Sequence, residues 1–257
     1  MFKQTPAPLS DQFYPPHLSL YNVLKVIPES HITNRQSDAF EIFCFLMHVW
    51  ENRAKLIQRI VPLFERVDVA RSFRIMEKSV VHCLQCNKEV VTLIEDKFGL
   101  LLNPTESGSD FASVNQLVER YSDTEAMVGN NRYACGECKS KQDALKTLTV
   151  VSSGNHVIIF LNRFVAGSVV KNTTPVNFGE PLTLPDGNYQ VISVMVHLGT
   201  SINSGHYVCF VRHRQESGSF EWYSTNDLNV KGPLSPTDEV FTLENAKNVY
   251  MLMYTQI

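Results

Sequence analysis

Hydrophobic positions recur along this chain with two different periods. Ala39, Ile42, Phe43, Leu46, Val49 and Trp50 fall at helical spacing, and Asp38-x-x-Glu41 at their start has the spacing of a capping box, so a core helix is predicted from Asp38 onward. Phe40, Cys44 and Met47 form a second apolar strip on that helix, which predicts burial on more than one face. The polar stretch 51–64 reads as its surface continuation or frayed end. Further on the period shortens to two. Runs rich in β-branched and aromatic residues at 73–81, 90–102, 145–151, 157–164, 189–197, 207–212, 220–224 and 249–254 predict strands. The stretch 178–184, broken by Gly179 and Pro181, is at most a short edge element, and 114–121 reads as a short helix. Strands dominate, which predicts an α+β fold with an antiparallel sheet packed against helices. Residues 1–16, with four prolines, read as an irregular lead-in, and 17–257 as a single domain.

Composition narrows the partners. A net charge of -3 with no run of Lys or Arg gives no electrostatic footprint for nucleic acid or a membrane surface. No apolar stretch approaches the ~18 residues of a membrane span, and the first residues lack the apolar region of a signal peptide. Of the 6 cysteines, four fall in two C-x-x-C pairs, Cys83/Cys86 and Cys135/Cys138. With no export signal, these pairs point to metal in a reducing compartment, cytosol or nucleus, rather than to a disulfide framework. The first pair lies between two predicted strands and the second follows Tyr133 with Gly136 inside it, so both sit on tight knuckles. Two such knuckles make a tetrahedral four-thiolate site for Zn²⁺ with no open coordination position, hence a structural zinc.

The candidate chemistry lies in residues 204–227, SGHYVCFVRHRQESGSFEWYSTND. The alternation Tyr207, Cys209, Val211, a polar loop and the return through Phe220 and Trp222 predict a β-hairpin. Antiparallel pairing brings His206, at the start of one strand, close to Asn226 and Asp227, at the end of the other. A side-chain oxygen there can hold one ring nitrogen and leave the second free to take a proton from a thiol. Cys44 is a poor thiol for that role, because it lies about two turns into an apolar helix where burial raises the pKa. Cys209 falls on the strand face opposite His206 and reads as core. Arg163, in an otherwise apolar run, reads as a paired structural residue, His197 and His213 as solvated strand-end histidines, and 199–204 as a mobile loop.

These motifs together resemble one family. Gly205-His206-Tyr207-Val208-Cys209-Phe210-Val211-Arg212 and Trp222-Tyr223-Ser224-Thr225-Asn226-Asp227 are similar to the histidine box of the ubiquitin-specific proteases, papain-like enzymes that remove ubiquitin from proteins. Gln36-Ser37-Asp38-Ala39-Phe40-Glu41-Ile42-Phe43 resembles their QDAHEF-type box, with Phe40 where a histidine is usual. The two C-x-x-C pairs, Leu161-Asn162-Arg163-Phe164 (their LKRF motif) and Val249-Tyr250-Met251-Leu252-Met253-Tyr254 follow in the family's order, over roughly residues 35–257. The resemblance implies an antiparallel palm sheet, zinc-ribbon fingers that grip ubiquitin, and a helical thumb that is truncated here. It also implies thiol-dependent cleavage of (iso)peptide bonds at the ubiquitin C-terminus, with His206 as general base and then acid, Asn226 as its orienter and Asp227 as an auxiliary. The family's nucleophile sits in a GNTCY-type box upstream of the QDAHEF-type box, and nothing in residues 1–35 resembles it. The expectation is therefore a ubiquitin-specific protease domain that lacks its nucleophile in this chain. A pseudo-protease that binds ubiquitin without chemistry, and a zinc-stapled interaction domain indifferent to ubiquitin, are the competing expectations.

Overall fold

In the computed structural model, residues 38–60, 69–104, 106–107, 110–164, 170–201 and 204–257 are described. The chain divides into two compact units, Met1–Phe45 and Leu46–Ile257. The irregular lead-in expected over 1–16 lies outside the described residues. Within the first unit helix α1 (Ala39–Ile60) begins, where the Asp38-x-x-Glu41 spacing predicts it. Asp38 Oδ1 accepts from the N–H groups of Phe40 at 2.7 Å and Glu41 at 3.2 Å, satisfying two donors that a helix start leaves unpaired. The polar continuation stays helical to Ile60. Of the two apolar strips, Met47 of the second is buried and Trp50 of the first is exposed. An apolar residue on each side of a helix does not tell which side meets a partner surface, so the spacing overstated the first strip.

In the second unit a 3-10 turn (Val69–Phe73) leads into strand β1 (Ile75–Cys83), then β2 (Glu89–Lys97), β3 (Leu100–Leu102), β4 (Glu106–Ser107) and β5 (Asp110–Ser113). Helix α2 (Val114–Tyr121) starts on a capping box: Ser113 Oγ accepts from the Gln116 N–H at 3.3 Å, and Gln116 Oε1 from the Ser113 N–H at 2.9 Å. Then come β6 (Glu125–Met127), β7 (Tyr133–Cys135), β8 (Ser140–Gln142) and the long β9 (Ala144–Ser153). Strands β10 (His156–Leu161), β11 (Val176–Asn177), β12 (Leu182–Leu184), β13 (Gly187–Ser201), β14 (Ser204–Arg214), β15 (Phe220–Asn226) and β16 (Asn229–Leu234) follow, and after helix α3 (Leu243–Asn248) the chain ends in β17 (Val249–Gln256).

Beside a three-stranded sheet β11-β5-β4 and the two-stranded β7-β8, two larger sheets organise most of these strands. The smaller has the order β2-β1-β9-β6, all antiparallel, and is the finger; the larger runs β16-β15-β14-β13-β17-β10-β3, with β12 beside β13, and is the palm. This is the expected α+β architecture with two refinements. The palm is antiparallel except where β3 lies parallel to β10. The apolar run 90–102 is also two strands rather than one: β2 stays in the finger and β3 crosses to the palm. Gly99 makes the crossing, because a Cβ there would stand 2.9 Å from the Ile158 carbonyl oxygen and 2.9 Å from the Phe160 ring. A hydrophobic period cannot register the change of sheet, because apolar residues recur on both sides of it although Val90, Val91 and Leu93 are exposed in the finger and Leu100 and Leu102 buried in the palm. The edge element read at 178–184 is reduced to β12, and β16 and α3 escaped the pattern altogether. α3 is six residues long and starts on Thr242 Oγ1, which accepts from the Asn245 N–H at 3.1 Å.

The core lies on the palm. Val157, Ile159 and Leu161 of β10 are fully buried beside Leu252 and Tyr254 of β17 and Tyr189 of β13. A strand paired on both edges and covered reads as a nearly continuous apolar run, as HVIIFL does. The finger is tied down at its root. Glu77, fully buried, accepts from Tyr121 Oη at 2.7 Å on Oε1 and pairs with Lys97 Nζ at 2.5 Å on Oε2, while Lys97 also donates to Tyr121 at 2.9 Å. One buried carboxylate thus joins β1, β2 and the last residue of α2. No helix among the described residues is long and apolar enough to cross a membrane.

Candidate functional site

At the finger tip the two knuckles meet. The Sγ atoms of Cys83, Cys86, Cys135 and Cys138 all lie within 4.8 Å of one another, with Cys83 4.0 Å from Cys138 and Cys86 3.7 Å from Cys135. All six cysteines of the chain are free thiols. Sulfurs about 2.3 Å from a common centre in a tetrahedron stand roughly 3.8 Å apart, so this spacing fits a four-thiolate metal site and is far too long for disulfides. The Cys138 backbone N–H points at Cys135 Sγ at 3.5 Å and, with the Glu137 N–H, lowers the Cys135 pKa to about 7, whereas burial pushes the Cys138 thiol up to about 12. Lys88 and Glu137, paired at 2.7 Å, bridge the two knuckles on the outside.

The second constellation stands where β14 begins. His206 Nε2 lies 2.6 Å from Asn226 Oδ1, and Asp227 Oδ2 is 3.9 Å from the same nitrogen. A carboxamide oxygen only accepts, so Nε2 carries the proton and Nδ1 keeps a lone pair for a proton from elsewhere. Register explains the meeting. β14 and β15 pair through Cys209↔Thr225, and β15 returns into β16 through Asn226↔Asn229, so Asn226 closes one hairpin and opens the next. Asp227 occupies the tight turn between them at φ 51°, a left-handed conformation that Asp tolerates better than most residues. Its place in the chain therefore has a turn-forming reason, and its carboxylate stands outside hydrogen-bond range of the ring.

His197, expected to be solvated, is buried. Its ring packs against Tyr207 at 5.0 Å, Phe164 at 5.5 Å and Tyr250 at 6.3 Å between centroids. It lies over Gly205, where any Cβ would collide with the imidazole, so the glycine before His206 exists to admit the His197 ring. A lone histidine near a strand end carries no signal of that. His213 is exposed, as read from the sequence. Arg163 is fully buried and paired with main-chain oxygens rather than an acid. Nε donates to Val249 at 2.6 Å, Nη1 to Asn172 and Thr174 at 2.9 Å each, and Nη2 to Ala246 at 2.8 Å. Burial lowers its pKa to about 10. The guanidinium thereby satisfies carbonyls at the C-terminal end of α3, where a helix leaves acceptors unpaired and a cation is favoured.

The two remaining thiols are not activated. Burial, then the Asp38 carboxylate, pushes Cys44 up to about 11. Burial also raises Cys209, which lies 3.2 Å from Ser193 Oγ.

Finger, palm and the two constellations define a deubiquitinase domain of the ubiquitin-specific protease type. The family model described as "Ubiquitin carboxyl-terminal hydrolase" matches residues 2–254, and the chain belongs to that family. Among curated relatives it is 30% identical over 190 residues to Ubiquitin carboxyl-terminal hydrolase 16 of Arabidopsis thaliana, covering 70% of this chain and 17% of that protein. To Ubiquitin carboxyl-terminal hydrolase 25 of the same plant it is 25% identical over 248 residues, covering 91% of this chain and 35% of that protein. To Ubiquitin carboxyl-terminal hydrolase 17-like protein E of Mus musculus it is 32% identical over 188 residues, covering 70% of this chain and 32% of the relative. The chain thus spans about a sixth to a third of these relatives' length. The fold is shared with a chain of the SAGA Ubp8/Sgf11/Sus1/Sgf73 DUB module, solved bound to ubiquitin aldehyde, at TM-score 0.64 and 23% identity over 86% of this chain and 49% of that one.

Proposed function

We propose that this chain is the greater part of a ubiquitin-specific protease catalytic domain that binds ubiquitin and supplies the base and its orienter, while the thiol nucleophile comes from a segment outside this sequence. The observation that carries the reading is the 2.6 Å contact between His206 Nε2 and Asn226 Oδ1, which leaves Nδ1 as the base. In the complete enzyme Nδ1 takes the proton of the thiol. The thiolate attacks the carbonyl carbon of ubiquitin's C-terminal residue, and the imidazolium returns the proton to the leaving lysine amine as the C–N bond breaks. Water, deprotonated by the same ring, then releases ubiquitin from the thioester. Asn226 holds the ring, and Asp227 is its auxiliary, an exposed carboxylate 3.9 Å from the same nitrogen. The four finger cysteines hold a structural Zn²⁺. Reduced thiols suit cytosol or nucleus.

A second reading, a ubiquitin-binding module without chemistry, is favoured by one observation. Four of the six cysteines cluster at the finger tip and the other two have raised pKa values, so none offers His206 an activated thiolate. The test is to join the chain to a Cys-box segment of a full-length relative and follow hydrolysis of a ubiquitin–fluorophore amide. Turnover that disappears in His206→Ala with ubiquitin affinity retained supports the first reading. No turnover, with ubiquitin still bound, supports the second, and absence of ubiquitin binding defeats both.

A further inference from the structure

Near His206 the chain buries a cationic side chain that the chemistry above does not use. Lys171 is 4% exposed, and its Nζ donates to the His197 main-chain carbonyl and, at 2.6 Å, to Asn248 Oδ1. Asn248 is itself fixed: its Nδ2 donates to Glu244 Oε1 at 2.6 Å and to the Glu244 carbonyl at 3.0 Å. The same stretch is fastened to β13 through the main chain. The Lys171 N–H donates to the Thr200 carbonyl at 3.1 Å, and Val170 bridges Ser201 in antiparallel fashion. Lys171 therefore staples the last residues of β13 from the side opposite β14. On the β14 side, His197 pairs with Tyr207 and Leu198 with His206. The carbonyl that Lys171 grips thus belongs to the residue next to the strand partner of His206.

Holding a cation there is costly. Burial first, and then the charge of Arg163, lower the Lys171 pKa to about 8, with Glu244 opposing. A buried cation beside a second buried cation adds little to stability compared with an apolar residue of the same length. What it supplies is direction, since two N–H bonds aimed at two fixed acceptors set the height and angle of the end of β13.

We propose that Lys171 is a positioning residue for His206: clamped between the His197 carbonyl and Asn248 Oδ1, it fixes the end of β13 that pairs with His206 through Leu198, and so keeps His206 Nε2 on Asn226 and Nδ1 turned to where a thiol must stand. The proposal rests on the reading of His206 and Asn226 as base and orienter. Lys171 touches no reacting atom and acts through the strand.

The full chain, labelled with ¹⁵N in histidine and asparagine, tests this by NMR. In the unsubstituted chain His206 is expected to show a single Nε2–H tautomer, its ring proton held on Asn226. Lys171→Met, similar in length and without donors, is expected to lose that proton signal, to move the ring nitrogens toward averaged shifts and to shift the Asn226 side-chain amide, while the finger still takes up one zinc. Asn248→Leu, which removes the second acceptor of Lys171, is expected to do the same, and it decides the matter if Lys171→Met does not fold. Unchanged His206 and Asn226 signals in a folded Lys171→Met, or in Asn248→Leu, overturn the proposal. Mixed tautomers already present in the unsubstituted chain overturn the dyad itself, a result distinct from failure of the Lys171 clamp.

Discussion

The tip of the finger and the end of the palm are both places where residues distant in sequence converge, yet they are held by opposite means. At the tip, thiols 49 and 55 residues apart face one another from two hairpins, and the β2 strand behind them leaves Val90, Val91 and Leu93 exposed. Little apolar burial pulls the hairpins together, and four electron-rich sulfurs do not attract each other; cohesion is what a metal ion in the proposed four-thiolate site would supply. At the palm end, the strands carrying His206 and Asn226 rest on a continuous apolar core and on two buried cations, Arg163 and Lys171, that fasten main-chain carbonyls. With zinc in the proposed site the finger would depend on a ligand that can be removed, whereas the palm end depends on groups that only mutation removes. The four-cysteine tip and the His206–Asn226 pair therefore have separate structural supports.

Metal withdrawal separates the two regions most strongly. Structural zinc binds with an apparent ~10–16 kcal/mol, so chelation or Cys135→Ser is expected to collapse amide-exchange protection in β1, β2 and β9 toward that of an open hairpin while β13 and β14 keep theirs. Equal loss of protection in both sheets would show that the palm leans on the metal too.

Arg163→Met acts on the other side. It strands four carbonyl oxygens around a buried site, and about 3–5 kcal/mol of global stability is expected to go, read as a lower urea midpoint at unchanged zinc stoichiometry. At the finger root Tyr121→Phe removes one hydrogen bond to Glu77 but leaves Lys97 paired with it, so a loss of ~1 kcal/mol is expected, and Lys97→Met, which leaves Glu77 buried with the Tyr121 hydrogen bond but no counter-charge, is expected to cost more. Urea titrations in which Tyr121→Phe costs as much as Lys97→Met would remove the carboxylate from the centre of that joint.

A pH dependence follows from the buried amine. Lys171 has a folded pKa of about 8, below its ordinary value of 10.5, so between those values the unfolded chain binds more protons than the folded one. Stability from this group therefore rises as pH climbs from about 8 to about 10, and is lowest below pH 8 where the buried amine is charged. Subtracting the pH curve of Lys171→Met from that of the unsubstituted chain isolates it; a difference that falls over this window contradicts the assignment.

How far the sequence discloses this arrangement depends on the kind of signal. Strand periods, the capping spacing at Asp38, both C-x-x-C knuckles and the His206 hairpin are local patterns, and each appears in the structure close to where the pattern places it. Features that depend on what lies across the fold were hidden. Gly99 carries the chain from one sheet to another without breaking the apolar period. His197 looks like a surface histidine until Gly205 is seen beneath its ring. Lys171, in the polar string Lys171-Asn172-Thr173-Thr174, has the look of an exposed loop residue, and Asn248 lies in a six-residue helix too short to leave a period. Asp227 was read for its charge, yet its positive φ shows that a tight turn also calls for it.

The central claim is that this chain carries a held imidazole and a ubiquitin-binding frame but no activated thiol. The direct measurement is intact-mass analysis of the chain after incubation with ubiquitin bearing a thiol-reactive electrophile at its C-terminus, alongside calorimetric binding of unmodified ubiquitin. Binding without a covalent adduct at any of the six cysteines is the predicted result. A stoichiometric adduct at Cys44 or Cys209 that depends on His206 would contradict it.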